Sequence, residues 1–238
     1  MKKFYALLIV ALFATAPALM AQSASFYNAT RDAEKMIRQM PTEWYYRVYV
    51  GYNTAHSNWK DYGPIGEMMF PVENGITLGY LESRNVVKGL PIFVEYGANI
   101  QYLRGKAKIN GDLLLPLLDD FHYKANTFAI NVPVNAALRL SFENDTIAVT
   151  PFAGLNIRYN LAGKQVSEIG DTQAEYKVFN SSEYPDAYNR LQFGLNFGVA
   201  VTYDVYTLSI GRVADFTRLS KEGKGRLGVT SVSLGYQF

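Results

Sequence analysis

The sequence predicts an all-β chain: an eight-stranded antiparallel up-and-down transmembrane β-barrel with a short N-terminal periplasmic helix. Three observations predict it. Apolar and polar residues alternate with period two in eight separate stretches. The polar partners in that alternation are Gly, Asn, Gln, Ser, Thr and Ala with few charges, whereas a water-washed face carries many Lys and Glu. The segments between the stretches run about 20, 6, 19, 3, 27, 0–2 and 11 residues, the long and short alternation of barrels with short periplasmic turns and longer external loops.

The first residues read as a secretory leader. Lys2 and Lys3 are followed by an apolar run from Phe4 to Ala16 and small residues at Ala18 and Ala21. The run is too short to span a bilayer, which takes about 20 residues, and suits a signal peptide over 1–21 cleaved before Gln22. Loss of Lys2 and Lys3 takes the basic residues from 23 to 21, equal to the 21 acidic ones. The processed chain is near neutral, which argues against a nucleic-acid partner. There is no cysteine, which excludes disulfides, thiolate metal sites and lipid attachment at a cysteine after the leader. Tyr (18) and Phe (14) are abundant and charged residues are scarce at 18%. No Pro/Ser-rich linker divides residues 44–238, so they read as one barrel domain.

Residues 22–43 form the N-terminal segment. Ala33, Met36, Ile37 and Met40 recur at helical spacing, Thr30 is placed to cap, Asp32 and Glu34 suit the first turn, and Pro41 stops the helix. The strands follow. The first, near 44–54, sets Trp44, Tyr46, Val48, Val50 and Tyr52 against Tyr45, Arg47, Tyr49, Gly51 and Asn53. The second, near 74–83, sets Ile76, Leu78 and Tyr80 against Thr77, Gly79 and Leu81. The third, near 90–104, sets Ile92, Val94, Tyr96, Ile100 and Tyr102 against Phe93, Glu95, Gly97, Asn99 and Gln101. The fourth, near 124–142, sets Ile130, Val132, Val134, Leu138 and Phe142 against Asn131, Asn135 and Arg139. The fifth, near 146–162, sets Ile147, Leu155, Ile157, Tyr159 and Leu161 against Thr150, Gly154, Asn156 and Arg158. The sixth, near 190–204, sets Leu191, Phe193, Leu195, Phe197 and Tyr203 against Gln192, Gly194, Asn196 and Thr202. The seventh, near 205–213, sets Tyr206, Leu208 and Ile210 against Thr207, Ser209 and Gly211. The eighth is VTSVSLGYQF, where Val232, Leu234, Tyr236 and Phe238 alternate with Ser231, Ser233, Gly235 and Gln237.

A soluble barrel of the lipocalin type would turn the apolar stripes inward. Here the other face suits a narrow filled lumen, and the stripes suit lipid. Membrane passage then demands closure, because each unpaired backbone group at a sheet edge in lipid costs several kcal/mol. Aromatics fall into two belts. Trp44, Tyr46, Tyr80, Phe142, Tyr203, Tyr206, Tyr236 and Phe238 lie at the expected periplasmic ends. Tyr52, Tyr102, Tyr159 and Phe193 lie at the outer ends. The expected location is the outer membrane of a Gram-negative bacterium, with both termini periplasmic. Val232, Leu234, Tyr236 and Phe238 also resemble the C-terminal signal read by the barrel assembly machinery.

INVPVNAALRL (Ile130 to Leu140), a short turn, then TPFAGLNIRYNLAG (Thr150 to Gly163) resembles the outer-membrane β-barrel domain family that includes PorT-like proteins. That family often shows an Ile-Pro-Leu-like strand followed by a Pro-aromatic-x-Gly strand; here Val134 stands after Pro133 where Leu is frequent. The resemblance implies membrane location and fold, and no single activity.

Inside the lumen the expected charge network is Arg47, Glu95, Arg139 and Arg158, with Glu95 paired to one or both of Arg47 and Arg139 in the periplasmic half. Pro133, in mid-strand, predicts a bulge or local kink, with Pro151 on the neighbouring strand sharing it. Two histidines, His56 and His122, lie toward the outer loops, with Ser57, Asp119 and Asp120 near them in sequence. They form too loose a set for a catalytic triad or a metal site. No cofactor fingerprint occurs. The Leu-rich stretch from Ile109 to Phe121 reads as folding over the mouth or meeting a partner. The long segment from Lys164 to Asn189 reads as a solvated loop or a ligand surface carrying Tyr176, Phe179, Tyr184 and Tyr188. The expectation is a scaffold presenting loops, in contact with outer-membrane lipid and with an extracellular ligand or a periplasmic protein. The alternatives are an accessory of secretion or assembly, and a rim-located lipid A-modifying enzyme.

Overall fold

The computed structural model describes residues 44–58, 72–87, 90–109, 121–142, 146–169, 172–180, 182, 187–220 and 225–238. The leader, the helix over the N-terminal segment and the leucines between Ile109 and Phe121 lie outside these residues. Among the described residues ten strands follow in order: β1 (Trp44–Asn58), β2 (Glu73–Asn85), β3 (Ile92–Ile109), β4 (Phe121–Leu138), β5 (Leu140–Phe142), β6 (Ile147–Ile169), β7 (Thr172–Lys177), β8 (Leu191–Tyr203), β9 (Tyr206–Asp215) and β10 (Arg226–Gln237).

Eight staves make the wall, because β4 and β5 are one stave interrupted at Arg139 and β7 pairs only with β6. Every pairing is antiparallel, and each stave lies beside its neighbour in sequence. The sheet closes where β1 meets β10, in register from Arg47↔Gln237 to Asn58↔Arg226. Tyr46 and Phe238 exchange both backbone hydrogen bonds at 2.9 Å there, at the foot of the seam. Closure removes every edge from the wall, as a β-sheet in lipid requires.

The period-two pattern sets which side is which. Val50, Leu78, Ile100, Leu195, Leu208 and Leu234 point outward and are exposed, Leu234 at 64%. The alternate residues Asn53, Gln101, Asn131, Asn135, Gln192 and Thr202 point inward and are buried. The molecule is apolar outside and polar inside.

The strands run further than their apolar stripes. Lys164–Ile169 continues β6 and pairs with β7 as a hairpin, in what the sequence pattern presents as loop. There the outward positions become mostly polar, Lys164 and Glu168 flanking Val166, so hydrophobicity stops marking the strand before the backbone does. The prolines also behave differently from the expectation. Pro133 produces no register shift: β3 and β4 pair at Tyr96↔Val134 and again at Asn99↔Asn131, and only the positions between are unpaired. Pro151 likewise leaves a gap opposite Leu138 and Arg139 with the register kept, and Arg139 donates its N–H to Pro91 O at 2.8 Å instead. A missing donor removes one rung and nothing more. The bulge lies at Leu161, where pairing steps from Ala129↔Asn160 to Phe128↔Ala162. The tightest turn, Asp204–Val205, holds Asp204 at φ 53°, a left-handed conformation that Asp tolerates better than most residues.

Candidate functional site

The lumen is filled in layers. At the end bearing the short turns, Tyr45, Phe93 and Ala137 form an apolar floor with Phe152 against it. Above it Glu95, fully buried, accepts hydrogen bonds from Tyr45 and Ser83 at 3.1 Å each, and Arg47 Nη2 lies 3.6 Å away. Arg139 stacks on the Tyr45 ring at 4.9 Å and donates to Gln237 at 3.2 Å. A belt of amides comes next: Asn131 donates to Asn99 at 2.9 Å and Asn196 to Asn135 at 3.0 Å.

Arg158, 1% exposed, is the centre of the following layer. Its Nε donates to Asn131 at 3.0 Å and its Nη2 to Gln101 at 3.1 Å, and its Nη1 lies 3.5 Å from Asp215 Oδ2. Glycines make the room. Gly194 faces Asp215 across the β8–β9 ladder, and a Cβ on it would lie 2.5 Å from the carboxylate. Gly79 faces Tyr49, and a Cβ there would collide with the ring. About 90 Å³ of free space remains along this axis, enough for a few water molecules.

The mouth at the opposite end is closed by loop residues. Ala55, Leu103 and Val229 form an apolar layer beneath it. Val178, Phe179 and Leu219 are buried over it. The backbone ties them down: Tyr188 donates to Val178 O and Asn189 to Leu219 O, both at 2.7 Å. Beyond the mouth, the β6–β7 hairpin takes part in two ion pairs, the half-buried Glu168 with Lys124 of β4 at 2.9 Å and the exposed Lys164 with Glu175 at 2.6 Å. Hydrogen bonding from Lys124 holds the Glu168 carboxyl below the usual carboxylate range.

A continuous band of exposed aliphatic side chains around a closed sheet, flanked by aromatics, is stable only with hydrocarbon against it. The chain is an outer-membrane β-barrel protein. No family model matches the sequence, and no curated protein matches it. Among solved structures it is similar to Ail, the attachment invasion locus protein of Yersinia pestis, with TM-score 0.41, 11% identity, and coverage of 83% of this chain and 100% of that one. It is also similar to Neisserial surface protein A, with TM-score 0.38, 11% identity, and coverage of 83% and 98%. A major outer membrane protein from Thermus thermophilus gives TM-score 0.41, 11% identity, and coverage of 81% and 99%.

Of the residues singled out from sequence, Arg47, Glu95, Arg139 and Arg158 are all buried in the lumen, in two groups rather than one network. Trp44, Tyr52, Tyr80, Tyr102, Phe142, Tyr159, Phe193, Tyr203 and Tyr206 are exposed on the outer wall, and Tyr46 is half-buried among them. Tyr46 stacks on Tyr80 at 5.9 Å and on Phe238 at 5.7 Å. Val232, Leu234 and Tyr236 line the outer face of the closing strand and end at Phe238. His56 faces outward, while Ser57 beside it lines a space of about 30 Å³ under the mouth together with Glu73 and Gln192. Sequence reasoning missed Asp215 and Glu73. Glu73 is the first residue of β2 and Asp215 the last of β9, where an inward acidic residue looks like loop. Continuing the period by two residues in either strand would have found them.

Proposed function

We propose that this barrel is a binding scaffold: a plugged wall that carries the long segments after β1, β3, β7 and β9 on the cell surface, with both termini in the periplasm. The observation that carries the reading is the filling of the lumen, from the Tyr45–Phe93 floor through the Arg158–Asp215 layer to the Phe179–Leu219 cap. A general diffusion path does not fit beside those side chains. The likeness of Ile130–Leu140 and Thr150–Gly163 to PorT-like barrels supports the membrane setting and leaves open an accessory role in secretion or assembly through residues 22–43. The reading gives His56 and His122 no catalytic step.

An epitope inserted at Ser182 should be reached by antibody on intact cells, and one at Asp204 only after permeabilisation; the reverse result refutes the orientation. The barrel in planar bilayers should show no steady conductance, and replacing residues 178–190 by a Gly/Ser linker should abolish capture of surface partners while the barrel stays folded. A strain lacking the protein should keep its lipid A pattern unchanged.

A further inference from the structure

Above the amide belt, the charged side chains that face into the lumen among the described residues are Glu73 on β2, Asp215 on β9 and Arg158 on β6. Two carboxylates there meet one guanidinium. The layer below is the reverse, with Glu95 set between Arg47 and Arg139. Arg158 directs its donors to Asn131, Gln101 and the side of Asp215. Glu73 accepts a hydrogen bond from the Thr127 hydroxyl and shares the field of Arg158 with Asp215. Arg190, the next cation, is exposed and donates to the carbonyls of Asn160 and Leu161. The upper lumen is thus left with one negative charge in excess, and uncompensated charge away from bulk water is costly.

The same place holds a small polar cavity. A space of about 30 Å³ lies among Ser57, Glu73, Thr127, Asn160 and Gln192, under the Phe179 cap. Gln192 is 1% exposed, and neither its Oε1 nor its Nε2 has a hydrogen-bond partner among the described residues. It stands directly across the ladder from Arg158, whose donors go elsewhere. A buried amide oxygen therefore faces this space beside a carboxylate, an arrangement that is destabilising unless the space holds a group that satisfies both. Asn160 turns its Nδ2 to the carbonyls of Asn189 at 3.3 Å and Arg190 at 3.2 Å, which leaves its Oδ1 on the other side of the amide. The donors are all oxygens, the set a hard cation takes. Among the described residues no three of His, Asp and Glu come together, so the set is not that of a transition metal. A single excess charge, with Arg158 close by, favours an ion of one positive charge over an ion of two.

We infer that this space is a binding site for one small monovalent cation of the sodium class, held by the Glu73 carboxylate, Gln192 Oε1 and the neutral oxygens around them. The room is about that of one water molecule, so a small ion enters stripped of most of its hydration and a bulky organic cation is excluded. The bound charge brings the upper lumen to neutrality and gives the Gln192 oxygen a partner. Because Phe179 lines the same space, the ion also ties the cap to the wall. The site is independent of the orientation of the barrel and of any partner of the loops.

The test uses the full chain folded into phosphatidylcholine vesicles, in sodium, potassium or choline chloride at equal ionic strength. Sodium should raise the urea midpoint above that in choline along a saturable one-site curve, with potassium acting more weakly. Amide exchange at residues 187–190 should slow with the same sodium dependence. Glu73→Gln should abolish the response. Gln192→Leu, which keeps every charge, should weaken the apparent sodium affinity at least tenfold. Glu175→Gln, at an exposed carboxylate outside the lumen, should leave the response unchanged. Should Glu73→Gln fail to fold, as read by heat-modifiable gel mobility, Gln192→Leu and the cation series carry the test. Equal midpoints in sodium and choline would overturn the assignment and give the excess charge to a proton. An undiminished sodium response in folded Glu73→Gln or Gln192→Leu would overturn it as well.

Discussion

Charge is handled in two ways in this molecule. In the lumen, Glu95 and Asp215 are buried, each held by one arginine and, for Glu95, by two hydroxyl donors. At the rim beyond the apolar band, Glu168 is half-buried and Glu175 exposed, each touching one lysine. The rim ion pairs are the shorter, 2.6 and 2.9 Å against 3.5 and 3.6 Å in the lumen, but the surroundings differ more than the distances do. A buried carboxylate has lost its water and depends on its partner, so removing that partner leaves an uncompensated charge. An exposed pair trades one solvated state for another and gains little. The inner pairs therefore bear on stability far more than the rim pairs do.

The contrast is most directly broken by Arg158→Leu, which strands Asp215. The expected loss is about 3–5 kcal/mol in urea unfolding from lipid vesicles; a loss below about 1 kcal/mol would show that the two regions do not differ. Leu234→Arg, on the exposed band, should cost about 2–4 kcal/mol in bilayers while leaving the lumen intact. Gly79→Ala should cost about 1–3 kcal/mol through the clash with Tyr49, and Tyr49→Ser in the same chain should recover most of it. At the rim, Lys164→Gln should change stability by less than about 1 kcal/mol, measured in the same urea series.

The smallest effect is the pH response of the Lys124–Glu168 contact. The Glu168 carboxyl is held below its usual range by Lys124. The contact is thus fully present above the carboxyl's unfolded value and is lost as the pH falls through its lower folded value. Amide exchange in the hairpin should speed up only in that acidic window.

The wall was legible because lipid and lumen demand opposite residues two positions apart. Leu195 beside Asn196 and Leu234 beside Gly235 state their faces without any knowledge of neighbours. The inward arginines were legible for the same reason. What the alternation lacks is distance across the lumen. Nothing in one strand tells that Arg158 reaches β9 rather than joining Arg47, Glu95 and Arg139. Nor does it show that β6 trades β8 for β7 at Leu161, because a bulge is a disagreement between two strands. Asp215 and Glu73 were missed because an acidic residue at a strand end is also what a loop looks like.

Arg47 on β1 reaches Glu95 on β3, passing over β2, and Arg158 on β6 reaches Asp215 on β9, passing over β8. Each contact joins two strands that share no backbone bond. A stave sliding by two residues could remake its ladder and keep its greasy side out, so the wall alone does not forbid it. Such a slide would carry a lumen side chain about 6.6 Å along its strand and pull the opposite charges apart where bulk water does not reach. The stagger of this cylinder is thereby fixed from within, by pairs that act as pins through alternate boards.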